Sequence, residues 1–275
     1  MKALVALELN RLAVEDVELA PPQAGEVRVR MKAAGVCHSD LSVVNGTVPM
    51  PLPMVLGHEG AGIVETVGPG VTRVAAGDHV VLSFVPNCGE CWFCVRQEPH
   101  LCVRCDAGGR MWDGTSRLKL RGQELGAMSQ LGCLAQYAVV PAASVMPIDR
   151  TIPFDCAALV GCAVMTGVGA VTNTARVEAG STVAVFGCGG VGLAAIQGAR
   201  LVGAKQIIAV DLADNKLEYA RSFGATHCVK ANDSVVAEVQ ALTQGLGVDH
   251  SFEMTGRPAV MEQAYAAARR GGSVC

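Results

Sequence analysis

The fold of this chain is decided by the stretch Thr182-Val183-Ala184-Val185-Phe186-Gly187-Cys188-Gly189-Gly190-Val191-Gly192. Its first five residues are β-branched or apolar and are typical of a strand that is buried on both faces. Three glycines follow at the spacing G-x-G-x-x-G, and an alanine-rich segment comes directly after them. The stretch therefore predicts a buried strand, a tight turn and a helix in direct succession.

The three glycines of this turn, Gly187, Gly189 and Gly192, suit a loop that holds a dinucleotide. Glycine permits the tight turn, lets the backbone approach a pyrophosphate and allows close contact between helix and strand. The first helical residues, Gly190 and Val191, would present free N–H groups to the phosphates. In a chain with 32 glycines the pattern alone is weak, so its context matters.

An acidic residue supplies that context. Asp211 follows the next apolar run, 207–210, nineteen residues after Gly192. A carboxylate there can accept hydrogen bonds from both hydroxyls of the adenosine ribose and would repel a 2′-phosphate, so NAD is favoured over NADP. The alternative is an acid that only caps the following helix. Lys216 could reach the same ribose, although a lone lysine on a helix surface is usually just solvated.

The two halves of the chain differ in pattern. Up to about residue 150, short β-branched runs alternate with Gly and Pro, which favours short strands joined by turns. Beyond Thr151, apolar runs alternate with alanine-rich helical segments, which predicts an α/β unit with a parallel sheet covered on both faces. The expected strands are 182–186, 206–210, 226–230, 249–253 and 272 onward.

Composition excludes several classes of protein. The 275 residues are 51% apolar, which excludes disorder, and the net charge of −3 offers no basic surplus for nucleic acid. The first apolar run meets Glu8 too early for a signal peptide, and no uninterrupted apolar stretch approaches the length of a membrane helix. We therefore expect a cytoplasmic protein without a membrane or nucleic-acid partner. Its 12 cysteines should then be reduced thiols or metal ligands.

Four cysteines are spaced as a metal-binding tetrad. Cys88, Cys91, Cys94 and Cys102 fit the pattern C-x2-C-x2-C-x7-C, and four thiolates so close together can surround one Zn²⁺ in a structural site. Cys105 could replace Cys102 as the fourth ligand, and a nearby histidine, His100, also lies within reach. Four unrelated buried thiols are the alternative, but this polar, turn-rich segment has no core to hold them.

A second set of metal-ligand types is scattered along the chain. It consists of Cys37-His38-Ser39-Asp40, Gly57-His58-Glu59 and Gly161-Cys162. Spacing alone cannot bring these segments together. For any one of them, a buried thiol or a core histidine is the more common role.

The whole chain resembles the zinc-dependent medium-chain alcohol dehydrogenases. Residues 57–62, with Gly68 and Val71, are similar to the zinc signature of that family, and the tetrad and the glycine loop match its structural-zinc and NAD sites. Residues 113–117 and 161–167 are similar to the liver-type and glutathione-dependent formaldehyde dehydrogenase branch. The resemblance implies a GroES-like β-rich catalytic domain over 1–163, a structural-zinc lobe at about 86–106, and a doubly wound Rossmann domain over 164–275.

The resemblance also assigns roles at the catalytic centre. It makes Cys37, His58 and Cys162 the ligands of a second, catalytic Zn²⁺, so that two zinc ions and NAD are expected per chain. Ser39 matches the hydroxyl that takes the proton of the alcohol. Asp40 and Glu59 match acids that orient the metal site, and Glu59 is an occasional direct ligand in the family.

Three further roles follow from the same resemblance. It places His38 beside the pyrophosphate, Thr166 beside the nicotinamide and Phe84 in the substrate pocket. The expected reaction is oxidation of a primary or secondary alcohol with hydride transfer to NAD, and its reverse. Two alternatives stay open: oxidation of S-(hydroxymethyl)glutathione or a mycothiol analogue, and a non-catalytic nucleotide-binding fragment.

The sequence departs from the family pattern at three places. The histidine that usually ends the proton relay is replaced by Ser42, so proton release is expected to pass through the ribose to water. The segment 131–136 is about two residues short, which leaves the shape of the pocket open. The chain also stops in the fifth of six expected strands, so we interpret it as a C-terminally incomplete copy. We expect this chain alone to be inactive and the complete protein to be a dimer or tetramer.

Overall fold

A computed structural model of the chain describes residues 1–106 and 108–275. The chain divides into two compact units, Met1–Cys162 and Ala163–Cys275. The domain boundary that we expect from the sequence, between residues 163 and 164, lies one residue beyond this division. Each unit has its own apolar core.

The first unit is built from two sheets. The strands are β1 (Lys2–Glu8), β2 (Arg11–Asp16), β3 (Glu18–Leu19), β4 (Glu26–Gly35), β5 (Met54–Val55), β6 (Glu59–Val67), β7 (His79–Leu82), β8 (Leu118–Leu120), β9 (Gln123–Ala127), β10 (Tyr137–Pro141) and β11 (Val145–Pro147). The strand order in the larger sheet is β2-β1-β5-β9-β8-β3, and in the smaller sheet it is β10-β4-β6-β7-β11. A short helix, α1 (His38–Val44), follows β4.

Strand β4 shows how the sequence pattern forms the smaller sheet. Val27 and Val29 are fully buried, whereas the alternating residues Arg28 and Arg30 point to the other face, as the two-residue period of a strand requires. The strand pairs antiparallel with β6, and the pairing ends where Gly35 lies opposite Glu59. This pairing brings the end of β4 next to the start of β6, where candidate metal ligands lie.

Helical backbone runs from Phe154 to Thr174. It consists of α2 (Phe154–Leu159), a π-helical turn (Val160–Val164), α3 (Met165–Gly169) and a second π-helical turn (Ala170–Thr174). By length and composition alone this helix could cross a membrane, which is weak evidence because core helices of soluble proteins meet the same criteria. Its first π-helical turn carries Cys162.

The second unit is a parallel sheet whose strands alternate with helices along the chain. The strands are β12 (Thr182–Phe186), β13 (Gln206–Asp211), β14 (His227–Lys230), β15 (Val248–Glu253) and β16 (Ala268–Val274). Their order in the sheet is β14-β13-β12-β15-β16. The helices are α4 (Gly190–Leu201), α5 (Asp214–Phe223), α6 (Val235–Leu242) and α7 (Pro258–Ala267).

Both faces of this sheet are covered. On one face, Val183 and Val185 of β12 share an apolar core with Ile196 of α4, and Leu217 of α5 joins it. On the other face, residues of the same strand pack with α6 and α7; this second core includes Ala184, Phe186, Val235, Val239, Ala264 and Ala267. The unit is therefore the doubly wound α/β fold that the alternating sequence pattern predicts.

The fifth strand begins earlier than we predict from the sequence. It starts at Ala268 instead of Gly272, directly after α7. Ala268 pairs with Val248, and the register then shifts before Ser273 pairs with His250. Gly271, whose φ of 74° lies in the left-handed region, is part of this irregularity. A glycine within a strand often marks such a bulge. Because Gly271 and Gly272 interrupt the strand pattern, the sequence predicts its start too late.

Candidate metal and dinucleotide sites

Four side chains of the first unit converge on one point. Ligand atoms of Cys37, His58, Glu59 and Cys162 all lie within 4.8 Å of one another. Cys37 comes directly before α1, His58 and Glu59 stand at the start of β6, and Cys162 lies in the first π-helical turn. The structure thus brings together the segments that spacing alone left apart.

Asp40 fastens the ligand-bearing loops to one another. The main-chain N–H of Cys37 donates to Oδ2 of Asp40, and the N–H of Gly57 donates to Oδ1, each at 2.9 Å. Oδ1 also lies 3.7 Å from Nδ1 of His58, too far for a hydrogen bond. Asp40 and His58 are both buried. The carboxylate therefore fixes the backbone on either side of the cluster and faces the histidine ring.

The charges in the cluster act on one another. A hydrogen bond from Cys162, together with one from His58, lowers the pKa of the Cys37 thiol to about 3, while the same contact raises the pKa of Cys162. Burial lowers the pKa of His58, but Asp40 and Cys37 outweigh it and raise the pKa to about 9. Burial raises the pKa of Glu59. Without a metal, a thiolate therefore faces a cationic histidine. A metal ion would take the place of the proton between these two ligands.

The donor set fits zinc. Two cysteine sulfurs and one imidazole nitrogen are the Cys₂His ligands of catalytic zinc sites, for which alcohol dehydrogenase is a standard example. Nδ1 of His58 is buried without a hydrogen-bond partner among the described residues. A bound cation at the other ring nitrogen would fix the tautomer with a proton on Nδ1, directed at Asp40.

The other residues that we predict for the catalytic centre lie around this cluster in the first unit. Oγ of Ser39 is 3.7 Å from Sγ of Cys37. Phe84 packs edge-on against the ring of His58, with the ring centres 5.7 Å apart. His38 is exposed, and its Nδ1 lies 3.3 Å from Oγ of Ser42. Ser39 and Phe84 are therefore within reach of a molecule held at the cluster.

The predicted cysteine tetrad forms a second cluster. Sulfurs of Cys88, Cys91, Cys94 and Cys102 lie within 4.8 Å of one another, and a tetrahedral ZnS₄ site needs sulfur separations of about 3.8 Å. Main-chain N–H groups of Val103 and Cys94 lower the pKa of Cys91 to about 6. The four thiols therefore fit a structural zinc ion.

Cys105, the alternative fourth ligand, has another partner. Its thiol donates to the main-chain carbonyl of Phe84 at 3.5 Å. Its sulfur is not part of the cluster that the four tetrad sulfurs form. His100, the other candidate near the tetrad, lies in the turn Pro99–Leu101 and is not part of the cluster. The geometry therefore favours Cys102 over both.

In the second unit, the glycines of the predicted dinucleotide loop differ in what surrounds them. Gly187 has a φ of 95°, which favours glycine. A Cβ at Gly192 would overlap the carbonyl oxygen of Gly187, whereas a Cβ at Gly189 would meet nothing within 4 Å. The loop is thus closed where helix meets strand and open above Gly189. That open space suits a pyrophosphate at the start of α4, where Gly190 and Val191 stand.

Cys188 within this loop is fully buried, and burial is the main cause that raises the pKa of its thiol to about 12. Its side chain is therefore not poised for oxidation.

Asp211 stands at the end of β13 beside this loop. Its Oδ2 accepts the N–H of Cys188 at 2.7 Å, and its Oδ1 accepts the N–H of Ala213 at 2.9 Å. A carboxylate has about four acceptor positions, so two remain for ribose hydroxyls. The carboxylate also lines a cleft of about 310 Å³ at the carboxyl ends of the strands, the edge where doubly wound sheets bind nucleotides.

The cleft contains residues that sequence reasoning missed. Asn232, Thr255 and Arg257 line it, each within a few residues of the end of β14 or β15. Their signal in the sequence is a polar side chain directly after an apolar strand. Lys216 is exposed in the first half of α5. Thr166 lies in α3. A Cβ at the adjacent Gly167 would overlap the carbonyl of Val191, so α3 packs closely against the start of α4.

Comparison with known proteins agrees with both halves of the structure. Residues 23–150 match the alcohol dehydrogenase GroES-like domain, and residues 190–275 match the zinc-binding dehydrogenase family. A class-3 alcohol dehydrogenase of Myxine glutinosa is 45% identical over 99% of this chain and 74% of its own length. The chain belongs to the zinc-dependent medium-chain alcohol dehydrogenases.

Solved structures of other family members superpose closely on the chain. An alcohol dehydrogenase zinc-binding domain protein from Burkholderia ambifaria has a TM-score of 0.92 at 38% identity, covering 99% of this chain and 75% of the other. A benzyl alcohol dehydrogenase from Acinetobacter calcoaceticus has a TM-score of 0.91 at 34% identity with the same coverage. The chain spans about three quarters of the length of these relatives.

Membership of the family confirms several predictions from the sequence. The fold is a GroES-like domain with a Rossmann domain, the cofactors are zinc and NAD, and the activity is the zinc-dependent oxidation of alcohols. The chain is thus an alcohol dehydrogenase in type. The role of each site residue stays a prediction.

Proposed function

We propose that the chain oxidises a primary or secondary alcohol at the cluster of Cys37, His58 and Cys162, and reduces the corresponding aldehyde or ketone in reverse. The observation that carries this proposal is the convergence of these three ligands, with Glu59, within 4.8 Å. When bound, zinc supplies a Lewis acid that lowers the pKa of an alcohol hydroxyl and so favours its deprotonation near neutral pH.

The side chains around the cluster would do the rest of the work. The hydroxyl of Ser39, 3.7 Å from Sγ of Cys37, is placed to accept the proton of the alcohol. Asp40 holds both ligand-bearing loops through its two hydrogen bonds and faces His58. Phe84, which packs against His58, would contact the carbon chain of the substrate. NAD, when bound, would supply the acceptor for the hydride of the alcohol carbon.

In the second unit, we propose that the glycine loop and Asp211 bind NAD. The pyrophosphate would lie over Gly189, where the loop is open, and Asp211 would accept both ribose hydroxyls. Arg257 and Asn232 line the same cleft and would be further contacts of the bound nucleotide. Lys216 would be a further ribose contact, Thr166 a nicotinamide contact and His38 a pyrophosphate contact.

A second substrate class is favoured by one relative. The 45% identity to a class-3 alcohol dehydrogenase, with the similarity of residues 113–117 and 161–167 to the formaldehyde dehydrogenase branch, supports oxidation of a formaldehyde–thiol adduct. Parallel assays with ethanol, benzyl alcohol and S-(hydroxymethyl)glutathione, each with NAD, test the choice. Turnover of the simple alcohols is expected when these residues are assayed within a full-length chain, since we expect them to be inactive alone, and turnover of the adduct alone would replace our first substrate class by the second.

The zinc content gives an independent test. Two zinc ions per chain are expected, of which Cys37→Ser removes one and Cys91→Ser the other. A wild-type protein that binds a single zinc ion, lost on Cys91→Ser, would contradict the catalytic centre that we propose.

We further propose that the complete protein works in the cytoplasm as a dimer or tetramer. The 12 cysteines of this chain, all free thiols, suit a reducing compartment. Sedimentation of the purified protein tests the assembly, and a monomer at micromolar concentration would contradict it.

A further inference from the structure

Gly35, the last residue of β4, lies directly opposite Glu59 in the pairing with β6. A Cβ placed on Gly35 would overlap Oε2 of Glu59, and it would stand 3.0 Å from Cδ and 3.1 Å from Cβ of the same side chain. The carboxylate of Glu59 therefore occupies the space in which any other residue at position 35 would carry its side chain.

The backbone of Gly35 does not itself call for glycine. Its φ lies outside the left-handed region in which eighteen glycines of the described chain are found. The preceding positions of the strand, Ala33 and Ala34, carry a Cβ and pair with β6 in the same way. What distinguishes position 35 is thus the volume that the carboxylate of Glu59 needs.

The surroundings of Glu59 limit where its carboxylate could move. The side chain is buried, with 3% exposure, and one of its oxygens lies within 4.8 Å of the ligand atoms of Cys37, His58 and Cys162. A methyl group at position 35 would displace the carboxylate from β4, and we expect the displaced oxygen to move toward these three ligands. A carboxylate oxygen is itself a good zinc ligand.

We propose that Gly35 is a positioning residue that keeps the carboxylate of Glu59 beside the metal-binding position instead of in it. The space over Gly35 leaves the fourth coordination position to an exchangeable ligand, which a catalytic zinc site requires. This inference rests on the proposed metal centre, since it concerns which groups of the chain reach that centre.

The test uses the protein with Co²⁺ in both metal sites and imidazole as the probe. In the wild type, imidazole is expected to enter the open position and to shift the visible d–d bands of Co²⁺. In Gly35→Ala, the intramolecular carboxylate would hold that position, so imidazole is expected to bind at least about tenfold more weakly. The tetrad site contributes equally to both spectra and cancels in the difference.

Rescue separates this role from a merely structural one. Removal of the carboxylate in the double variant Gly35→Ala with Glu59→Ala is expected to restore the imidazole affinity of the wild type. Gly169→Ala is the matched control, because a Cβ there has no neighbour closer than 4.0 Å. If Gly35→Ala fails to fold, the double variant is expected to fold and to bind imidazole. If neither variant folds, the methyl group at position 35 conflicts with the sheet and not with the carboxylate of Glu59, and the proposal is overturned.

The outcomes also distinguish this inference from the proposed function. Identical Co²⁺ spectra of the wild type and of Cys37→Ser would contradict the proposed metal centre itself. A wild type with the expected centre, and a folded Gly35→Ala variant that binds imidazole as the wild type does, would overturn only the role of Gly35.

Discussion

The carboxylate of Asp40 faces the imidazole of His58 inside the first unit, with Oδ1 and Nδ1 3.7 Å apart and both side chains buried. The same carboxylate accepts the N–H groups of Cys37 and Gly57. One acidic residue thus supports two of the proposed zinc ligands without lying in the cluster.

Asp40→Asn should therefore weaken metal binding at this centre. The amide keeps at most one of the two accepted hydrogen bonds and loses the charge that faces His58, so we expect the affinity for the catalytic metal to fall about 10- to 100-fold. Competition with a chelator measures the affinity. Asp16→Asn, which changes an exposed partner of Lys2, is the control, and an equal loss in both variants would contradict the role of Asp40.

Asp211→Asn should reduce the preference for NAD. The variant loses the negative charge that would repel a 2′-phosphate and weakens the acceptor for the ribose hydroxyls, so we expect NAD to bind about tenfold more weakly. Binding of NAD and NADP is measured by titration. Asp214→Asn, at an exposed ion pair with Lys230, should leave the ratio unchanged. A constant ratio in Asp211→Asn would exclude Asp211 as the ribose contact.

Cys102→Ser and Cys105→Ser should differ in metal content. Sγ of Cys102 lies in the tetrad, whereas Cys105 donates to the carbonyl of Phe84. We expect Cys102→Ser to lose the structural zinc ion and Cys105→Ser to retain both ions, as determined by metal analysis of the purified proteins. Loss of the structural zinc ion in Cys105→Ser and not in Cys102→Ser would show that Cys105 is the fourth ligand instead of Cys102.

Arg117→Ala should be strongly destabilising. The buried guanidinium of Arg117 donates to both carboxylate oxygens of Glu26, at 2.9 and 2.6 Å, and also to Asp113. Its removal leaves the buried Glu26 without a counter-charge, which costs about 3–5 kcal/mol in the free energy of unfolding. Denaturant unfolding measures this loss. Arg11→Ala breaks an exposed pair with Glu8 and should cost at most about 1 kcal/mol.

Asp249 should make the second unit sensitive to acid. Burial opposes ionisation of this residue, but hydrogen bonds from Thr182 and the guanidinium of Arg269 lower its pKa to about 2. Because the folded-state pKa lies below the ordinary value of 3.8, the stabilisation is complete above that value and is lost as the pH falls toward 2. Asp249→Asn should destabilise the protein at pH 7 and much less at pH 2, where the Asp249 carboxyl of the folded protein is partly protonated. An equal difference in unfolding free energy at both pH values would contradict this account.

The sequence predicts the second unit well because its signals are local. The run from Thr182 to Phe186 is apolar throughout and marks a strand buried on both faces, and the glycines after it mark the turn. The structure places the strand at the predicted residues and starts α4 at Gly190. The fifth strand was harder to place because Gly271 interrupts it with a bulge.

The first unit depends on contacts that no local pattern records. The proposed zinc ligands come from three distant segments, and only the resemblance to a known family grouped them before the structure did. Gly35 carries no sequence signal at all, because its importance depends on Glu59 across the sheet. The polar residues of the nucleotide cleft, Asn232 and Arg257, stand after strands, a signal that could have been used.

The π-helical turn Val160–Val164 places Cys162 in the cluster by virtue of its exact length. Such a turn holds one residue more than an α-helix would need, and each residue of a helix rotates the next by about 100°. Loss of one residue between Leu159 and Cys162 would give a more regular helix and turn the thiol away from His58. The position of the thiol is therefore tied to a fixed count of residues, since the helix cannot lose its irregular turn without moving Cys162 out of the cluster.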